Sequence, residues 1–339
     1  MMPRLCVIDG DGIGKEVIPA AVQVLQVAVP DLQFESAEAG WECFQKTGKS
    51  VPDKTLQCIR DCGAALFGAV SSPARKVDGY RSAIITLRQE LDLYSNIRPV
   101  KSLPGLSPRP DVDLIIVREN TEGLYSGREQ SDGEISIAER VITRNASRRI
   151  AQRAVSLVKS GGRSRLSIIH KANILPVSDG LFRDTVREVA DLEFHAGENW
   201  VVDEILVDTA AMKIISEPEK LDVLVTTNLF GDILSDEAAY WGGGMGLAPS
   251  INLGDGIAVA EPVHGSAPDI AGKGIANPIA AILSSALLLR YFWDDDPAAN
   301  RIENAVYQAL SEDIPVKDRK IDLTTRTEAI TQAILKRLH

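Results

Sequence analysis

Two carboxylates, Asp232 and Asp236, lie four positions apart directly behind an apolar stretch of the chain. On a helix this spacing places both on one face with Cβ atoms roughly 5–6 Å apart, where like charges repel. A hard divalent cation such as Mg²⁺ or Mn²⁺, which takes oxygen ligands, removes that repulsion. Alternatively, Asp232 caps the helix and interacts with its dipole while Asp236 is solvated. The pair alone does not decide between these interpretations.

Three arginines lie near the ends of predicted elements in an otherwise acidic chain: Arg88, Arg98 and Arg118. Guanidinium groups in such positions suit bidentate recognition of carboxylates. Each arginine taken alone is typical of a surface charge. The three together predict a pocket for a polycarboxylate.

Lys171 and Tyr125 are candidates for proton transfer. Lys171 follows the apolar stretch 166–169, where an α/β enzyme exposes the carboxyl ends of its strands. A lysine near other cations is disfavoured in its charged form and can act as a base. A solvated loop lysine and a structural tyrosine are the alternatives that spacing alone favours.

A glycine-rich loop at residues 10–14 follows a strand and opens a helix, where a dinucleotide-binding fingerprint would lie. The fingerprint fails because Lys15 occupies the position of its third glycine. Asp9 and Asp11 would also repel a pyrophosphate. We interpret the loop as a tight turn that needs glycine for backbone freedom.

The composition is that of an ordinary globular protein. The chain has 339 residues, 45% of them hydrophobic and 25% charged, which predicts two domains or one large α/β unit. A net charge of -10 argues against a general nucleic-acid or anionic-membrane binder.

The cysteines and the apolar runs indicate in which cellular compartment the protein is expected. The four cysteines lack a paired metal-binding spacing and are interpreted as small core residues in a reducing compartment, although Cys58 and Cys62 share a helical face. The longest mostly apolar run, residues 279–289, is too short to span a bilayer. With no leader pattern at the N-terminus, we expect a cytoplasmic protein.

Short apolar runs alternate with amphipathic stretches, which predicts an α/β fold with a largely parallel core sheet. The predicted strands cover residues 5–8, 64–69, 112–117, 166–169 and 221–227. The predicted helices cover residues 15–29, 82–91, 147–158, 178–189 and 233–241. Clusters of Gly and Pro at 99–110 and 242–256 indicate crossings between domains, and the polar segment 123–138 could form a hairpin arm.

Taken together, these segments resemble the metal-dependent β-decarboxylating dehydrogenases, which act on isocitrate, homoisocitrate, 3-isopropylmalate and D-malate or tartrate. The resemblance covers essentially the whole chain. It rests on several long motifs in one order, at residues 10–14, 96–99, 118–125, 170–173, 228–236 and 261–278.

The resemblance implies an α/β fold of two domains around a large mixed sheet, not a Rossmann fold. It implies a large NAD-binding domain from residues 1–97 and 247–339. Residues 98–246 would form a dimerisation and metal/substrate domain with an arm near 123–140. It also implies a homodimer, or a tetramer of paired dimers, in which two subunits share each active site.

The resemblance also implies roles for individual residues. Asp232 and Asp236 would bind Mg²⁺ or Mn²⁺ together with Asp208 of the other subunit. Lys171, also from the other subunit, would accept the hydroxyl proton, and Tyr125 would protonate the enol carbon. The implied substrate-binding residues are Ser72, Ile85, Arg88, Arg98, Arg118 and Asn173.

The cofactor implied is NAD. Its adenosine part would lie against the loop 261–277, where Asp269 can accept hydrogen bonds from the ribose 2′-hydroxyl and repel a 2′-phosphate. NADP-using relatives typically have Lys and Tyr where this chain has Asp269 and Ile270. The implied cofactor-binding residues are Glu261, His264, Gly265, Ser266, Ala267, Asp269, Ile270 and Asn277.

The substrate expected is homoisocitrate, giving 2-oxoadipate, because residues 71–88 look most like homoisocitrate dehydrogenases. Some bacterial members have Arg at the place of Ile85, and the apolar Ile84–Ile85 pair also tolerates the alkyl group of 3-isopropylmalate. Isocitrate, 3-isopropylmalate or several of these acids are the alternatives. A non-catalytic regulatory subunit is the hypothesis from another class, and the intact site residues argue against it.

Overall fold

Strands and helices alternate along the chain, as the apolar periodicity predicts. The computed structural model describes residues 3–75, 77–194, 200–322 and 324–338. Its strands are β1 (Arg4–Ile8), β2 (Gln33–Ser36), β3 (Ala64–Phe67), β4 (Ser95–Lys101), β5 (Asp113–Glu119), β6 (Glu129–Ser131), β7 (Ser136–Ala138), β8 (Arg165–His170), β9 (Val201–Leu206), β10 (Val223–Thr226), β11 (Pro249–Leu253), β12 (Ala258–Pro262), β13 (Val316–Lys317) and β14 (Lys320–Ile321).

The helices follow the same alternation. They are α1 (Gly14–Ala28), α2 (Trp41–Thr47), α3 (Asp53–Cys62), α4 (Ala83–Glu90), α5 (Arg144–Ser160), α6 (Ser178–Glu193), α7 (Val207–Ser216), α8 (Asn228–Ala239), α9 (Ile279–Tyr291), α10 (Asp296–Glu312) and α11 (Thr327–Lys336). Within the described ranges, no helix combines the length and the apolar character needed to cross a membrane.

The chain divides into two units. The first comprises Met1–Leu93, Ser102–Pro110 and Trp241–His339, and the second comprises Tyr94–Lys101 and Asp111–Tyr240. These divisions lie a few residues before the boundaries expected from the sequence, and the segment Ser102–Pro110 returns to the first unit.

The first unit has the strand order β2-β1-β3-β12-β11. Strand β1 is parallel to β2 and β3, β3 is parallel to β12, and β11 is antiparallel to β12. The apolar run 279–289 forms most of α9, which packs on β11, β12 and α1. Every residue of that run is buried, as expected for a helix that is hydrophobic on all sides.

The second unit has the strand order β4-β5-β10-β8-β9. Strand β4 is antiparallel to β5, whereas β5, β10, β8 and β9 are mutually parallel. The carboxyl ends of these four parallel strands therefore meet at one edge, where ligand sites of α/β proteins usually lie. Strands β6 and β7 pair as a two-stranded hairpin within the segment predicted as an arm.

All five predicted strands and all five predicted helices are present, with shifted ends. The predicted helix 233–241 begins earlier, at Asn228, because the apolar residues that follow β10 already belong to the first turn of α8. The elements that the sequence did not predict include β2, β4, β9, β11 and β12. Several of these are short or lie partly exposed, so their apolar periodicity is weak.

The glycine loop forms a tight turn, as interpreted from the sequence. Gly10 has φ +74°, and a Cβ there would lie 2.3 Å from the carbonyl oxygen of Ala69. The carboxylate of Asp11, which is 2% exposed, accepts hydrogen bonds from the backbone N–H groups of Trp41 and Ser71 at 2.7 and 2.9 Å. The acidic residue thus holds neighbouring loops together.

Candidate active site

The second unit collects its candidate residues at the carboxyl edge of its parallel strands. Arg118 is the penultimate residue of β5, Lys171 directly follows β8, Asp208 opens α7 after β9, and Asp232 lies in α8 after β10. The strand order therefore brings together positions that are up to 114 residues apart in the chain.

Arg118 is 1% exposed and contacts α8 directly. Its Nη2 donates to the side-chain oxygen of Asn228 at 2.7 Å, and its Nη1 donates to Oδ1 of Asp232. The guanidinium also lies over the ring of Tyr125, 5.0 Å from its centroid. The expectation that an isolated arginine is a surface charge does not hold here.

Gly231 makes the approach of Arg118 possible. A Cβ at Gly231 would lie 2.7 Å from both Cβ and Cγ of Arg118, closer than real side-chain carbons pack. A glycine in a helix interior costs about 0.5–1 kcal/mol relative to alanine, so its presence here is explained by the contact rather than by helix stability.

Arg98, on β4, is the second buried guanidinium of this unit and is 8% exposed. Its Nε donates to the side-chain oxygen of Asn96 at 2.8 Å, and its Nη1 donates to Oγ of Ser235 at 2.7 Å. The same Nη1 lies 3.2 Å from Oδ1 of Asp236, and Nη2 lies 3.5 Å from Oδ1 of Asp232.

Asp232 is at the centre of these contacts and does not cap its helix. Helix α8 starts four residues earlier, with Thr227 as its N-cap residue, so the capping interpretation of the pair is wrong. Besides the two arginines, the phenol of Tyr125 donates to Oδ2 of Asp232. Two buried cations and a proton donor therefore converge on one half-buried carboxylate.

The carboxylates fit a hard divalent cation. Burial raises the pKa of Asp236 and repulsion from Asp232 adds to this effect, while Arg98 opposes it. A cation bound by both carboxylates would relieve this penalty. Within the described part of one chain, Asp208, Asp232 and Asp236 do not bring three ligand atoms within 4.8 Å of one another.

Lys171 and Asp208 form a pair of their own. The Lys171 ammonium donates to Oδ1 of Asp208 at 2.5 Å, and this contact lowers the pKa of Asp208. The backbone of Lys171 is anchored because its N–H donates to the buried carboxylate of Asp179 at 2.6 Å, which Arg140 also contacts. Asn173, two residues further on, is exposed.

In the first unit, Arg88 lies on α4 and is 7% exposed. Its Nη2 donates to Oε1 of Glu261 at 3.2 Å, and Asn252 donates to the same oxygen at 2.8 Å. The Nε of Arg88 is buried with no hydrogen-bond partner among the described residues, so it has an open donor. Ile85 lies one turn before it and is half-buried, whereas Ser72 is exposed.

The loop proposed for the cofactor follows β12. The Nδ1–H of His264 donates one hydrogen bond to the carbonyl of Gly265 at 3.0 Å. Its Nε2 is buried with no partner among the described residues, and burial lowers its pKa. Gly265 and Asp269 are exposed. The exposed backbone of Gly265, the unpaired Nε2 of His264 and the exposed carboxylate of Asp269 can all form hydrogen bonds. Together they fit a ligand with hydroxyl groups.

The other residues of this loop shape it or hold it in place. Ala267 adopts φ +39°, which is uncommon for a residue other than glycine and gives the loop its sharp turn. The hydroxyl of Ser71 donates to that of Ser266 at 2.8 Å. Asn277 accepts from the N–H of Ile279 at 3.0 Å, at the start of α9, and Ile270 is half-buried.

The structure brings Arg98, Arg118, Tyr125, Asp232 and Asp236 together and pairs Lys171 with Asp208. The residues that the sequence interpretation missed hold these groups in place: Asn96, Arg140, Asp179, Asn228, Gly231 and Ser235. Three of them stand inside the motif at residues 228–236, so the motif contained a signal for them. Arg140 and Asp179 carry no local pattern that could have identified them.

Comparison with known proteins agrees with this geometry. The family model for isocitrate/isopropylmalate dehydrogenase matches residues 4–335. An isocitrate/homoisocitrate dehydrogenase from Thermus thermophilus is 53% identical over 338 residues, covering 100% of this chain and 99% of the relative. A 3-isopropylmalate/3-methylmalate dehydrogenase from Methanocaldococcus jannaschii is 47% identical, covering 96% of each chain.

Among solved structures, the isocitrate dehydrogenase from Methylococcus capsulatus matches with a TM-score of 0.91 and 39% identity, covering 99% of each chain. The chain therefore belongs to the isocitrate/isopropylmalate dehydrogenase family and has its α/β fold. It is a metal-dependent β-decarboxylating dehydrogenase, which confirms the class predicted from the motifs.

Proposed function

We propose that the protein catalyses the NAD-dependent oxidative decarboxylation of homoisocitrate to 2-oxoadipate with Mg²⁺ or Mn²⁺. The observation that carries this proposal is the cluster of two buried guanidinium groups and a phenol around Asp232, one turn from Asp236. The cluster combines oxygen ligands for a cation, cationic groups for carboxylates and a proton donor, which this reaction requires together.

Asp232 and Asp236 would hold the cation, with Asp208 as the third ligand. When bound, the divalent cation supplies Lewis-acid polarisation of the substrate's hydroxyl and later keto oxygen, and the nicotinamide supplies the hydride acceptor. Arg98 and Arg118 contact Asp232 already and are held by Asn96 and Asn228, so their donors are fixed in direction before substrate binds. Because these donors are already fixed, less conformational entropy is lost when the site binds a polycarboxylate.

The neutral amine of Lys171 is proposed to accept the hydroxyl proton as hydride leaves the same carbon. A cation bound to Asp208 would replace the present ion pair between Asp208 and Lys171 and favour that neutral form. The backbone of Lys171 is anchored to Asp179, and its ammonium is paired with Asp208, so both ends of the residue are positioned. Tyr125 is proposed to return a proton to the carbon that loses CO₂. Burial raises the pKa of Tyr125 and the hydrogen bond to Asp232 adds to this, so the phenol stays protonated and able to donate.

Arg88 in the first unit is proposed as a further ligand for substrate carboxylates. Its buried Nε has an open donor, and such a donor costs free energy until an acceptor satisfies it. Ser72, Ile85 and Asn173 are proposed to contact the substrate as well. Ile84 and Ile85 together present apolar surface, which would accommodate the alkyl group of 3-isopropylmalate as an alternative substrate.

NAD is proposed as the cofactor because Asp269 is exposed on the loop after β12 and would repel a 2′-phosphate. The other proposed contacts are Glu261, His264, Gly265, Ser266, Ala267, Ile270 and Asn277. Replacing Asp269 and Ile270 with Lys and Tyr should raise kcat/KM with NADP relative to NAD. An unchanged cofactor ratio would refute the role of Asp269.

Homoisocitrate is favoured because residues 71–88 resemble homoisocitrate dehydrogenases, and because relatives with 53% and 45% identity are named isocitrate/homoisocitrate dehydrogenase and homoisocitrate dehydrogenase. Discrimination by one methylene is worth only about 1–3 kcal/mol, so activity on several acids is expected. The test offers homoisocitrate, isocitrate, 3-isopropylmalate and D-malate in parallel, with Mn²⁺ and NAD, and ranks kcat/KM. A higher value for any other acid would overturn homoisocitrate as the preferred substrate without affecting the class.

A homodimer is proposed because the second unit exposes large apolar side chains on α7, on α8 and before α6. Those on α7 and α8 include Met212 at 58%, Ile215 at 61% and Ile233 at 58% exposure, and Val177 before α6 is 84% exposed. Contiguous exposed apolar side chains mark protein interfaces. Asp208, whose side chain is 63% exposed, would then reach the partner's Asp232 and Asp236.

Mixed dimers test the shared site. Asp208→Asn and Asp232→Asn variants should each be inactive, whereas their one-to-one mixture after co-expression should recover about a quarter of wild-type activity, because half of the dimers are mixed and each has one intact site. A mixture as inactive as its components would show that each chain supplies its own ligands.

A further inference from the structure

A second group of metal-ligating side chains lies in the first unit, outside the proposed catalytic residues. Cys58 and Cys62 lie one turn apart on α3, and Glu35 lies on β2. One ligand atom from each of the three lies within 4.8 Å of the others. The Sγ of Cys58 is 3.9 Å from Oε2 of Glu35.

A third thiol, that of Cys6, lies next to this group. Cys6 on β1 is in register with Glu35 on the neighbouring strand, so the two side chains leave the sheet on the same side. Cys6 is fully buried and belongs to the core cluster against which Cys58 and Cys62 pack. Its thiol interacts with that of Cys58.

We propose that Cys58, Cys62, Glu35 and Cys6 form a binding site for a soft divalent cation of the Zn²⁺ or Cd²⁺ class. Three sulfur donors and one carboxylate oxygen are a donor set that such ions prefer and that Mg²⁺ does not. The cation displaces the thiol protons as it binds.

The spacing of the donors supports the proposal. A tetrahedral zinc ion with Zn–S distances of about 2.3 Å holds its sulfur ligands about 3.8 Å apart. The ligand atoms of Glu35, Cys58 and Cys62 all lie within 4.8 Å of one another and need to approach by at most about 1 Å, which small side-chain rotations provide. Cys6, whose thiol interacts with that of Cys58, would turn toward the cation as the fourth ligand.

The charge of the site is also compensated. Arg4 donates from Nε to Oε1 of Glu35 at 2.7 Å, which leaves Oε2 directed at Cys58. Three thiolates and a carboxylate around a divalent cation carry a net negative charge, and the guanidinium of Arg4 offsets part of it.

Two of the thiols are held in their neutral form by their surroundings. Burial raises the pKa of Cys62 to about 12, with repulsion from Cys58 and Glu35 adding to it, and burial likewise raises the pKa of Cys6. The alternative is that these are only packing residues. A packing role requires no carboxylate, whereas here the Glu35 carboxylate points at the two half-buried thiols at the rim of the core.

A cation at this site would join α3 to β1 and β2. Because binding to the folded chain alone stabilises it by mass action, saturating Cd²⁺ should raise the melting temperature. This effect is independent of the dehydrogenase reaction, so the proposal does not depend on the function proposed above.

The test titrates Cd²⁺ into the full chain with Mg²⁺ in excess to occupy carboxylate sites. We expect thiolate-to-cadmium ultraviolet absorption that saturates at one Cd²⁺ per chain and a higher melting temperature. C58S/C62S should abolish the absorption, and E35Q should weaken the affinity by at least about tenfold. C6A should lower the band intensity by roughly a third, since each thiolate contributes to it.

The matched control is C43A. Cys43 is a buried thiol on α2 whose sulfur contacts Thr47 rather than the other cysteines, so C43A should keep the full absorption. Because kcat with saturating Mg²⁺ and NAD does not involve the cysteines, C58S/C62S should retain wild-type kcat, which confirms folding. No thiolate absorption in the wild-type chain, or equal absorption in C58S/C62S, would overturn the proposal.

Discussion

Helices α8 and α3 each carry two potential ligands four residues apart, and the two pairs differ in chemistry and surroundings. Asp232 and Asp236 present hard oxygen donors and are approached by two buried guanidinium groups. Cys58 and Cys62 present soft sulfur donors and are approached by another thiol and one carboxylate. The helix spacing decides that two groups share a face, whereas the donor atoms and their neighbours decide what can bind between them.

The difference also shows how each pair avoids the cost of burying like charges. The aspartates are partly exposed and have Arg98 and Arg118 as counterions. The thiols need no counterion because burial keeps Cys62 and Cys6 protonated by raising their pKa values. The carboxylate pair therefore has counterions before any cation binds, whereas a cation at the thiol pair would bind by displacing thiol protons.

The largest expected effect is the loss of catalysis when one carboxylate of the Asp232 and Asp236 pair is removed. Asp232→Asn removes a charged ligand but keeps the shape and one acceptor for Arg118, so kcat/KM should fall by about 10²–10³-fold or more while the circular dichroism spectrum is unchanged. The control is Glu237→Gln, which lies one residue after Asp236 on α8 and should retain activity. Undiminished turnover of Asp232→Asn would contradict the ligand assignment.

A smaller effect is expected from Gly231→Ala, which leaves both carboxylates in place but moves their counterion. The added Cβ would lie 2.7 Å from Arg118, so the free energy of unfolding should fall by about 1–3 kcal/mol and KM should rise. In Gly180→Ala, on α6, the Cβ meets no atom within 4 Å, so that variant should be neutral or slightly stabilised. Equal melting temperatures for both variants would show that Arg118 can move freely.

The smallest effect concerns Glu122, a half-buried carboxylate that accepts hydrogen bonds from Thr143. Burial raises the pKa of Glu122 to about 7 and Glu119 contributes, while hydrogen bonds from Thr143 and the charge of Arg149 oppose the shift. A raised pKa in the folded state means that the protonated form stabilises the fold below the ordinary glutamate pKa. This stabilisation is lost as the pH rises through about 7.

The Glu122→Gln variant stays neutral at every pH. Its melting temperature relative to wild type should therefore increase by roughly 2 °C or more between pH 5 and pH 8. The same substitution at the exposed Glu134 of the hairpin loop is the control and should leave the difference constant. A constant difference for Glu122→Gln would show that burial of this carboxylate has no cost.

The sequence predicted much of the fold because long apolar runs mark buried elements. The helix that follows β10 has this signal, whereas the apolar run 279–289, which forms most of α9, was not assigned to a helix from the sequence. Strands such as β2 and β9 have partly exposed faces and short lengths, so their periodicity does not exceed that of a loop. The start of α8 was misplaced for a different reason, since a helix end depends on capping geometry that apolar spacing does not report.

The candidate site was predicted where its residues lie in one motif and missed where they do not. Asp232 and Asp236 are visible as a pair in the sequence. In contrast, Asp179 contacts the backbone of Lys171, eight residues before it, and Arg140, which lies 39 residues before it. The cysteines show the same limit, because the sequence places Cys58 and Cys62 on one helical face but neither Glu35 nor Cys6 is near them in the chain.

The sequence by itself determined the family, the α/β class and the helical faces that carry the two ligand pairs, because these follow from local spacing and from motifs. Only the tertiary structure decided that Arg118 is buried against Gly231 and that Glu35 faces Cys58. Such contacts depend on strand order and on how closely two backbones can approach. They are set by the packing of segments that are distant in the chain, for which a single sequence carries no local signal.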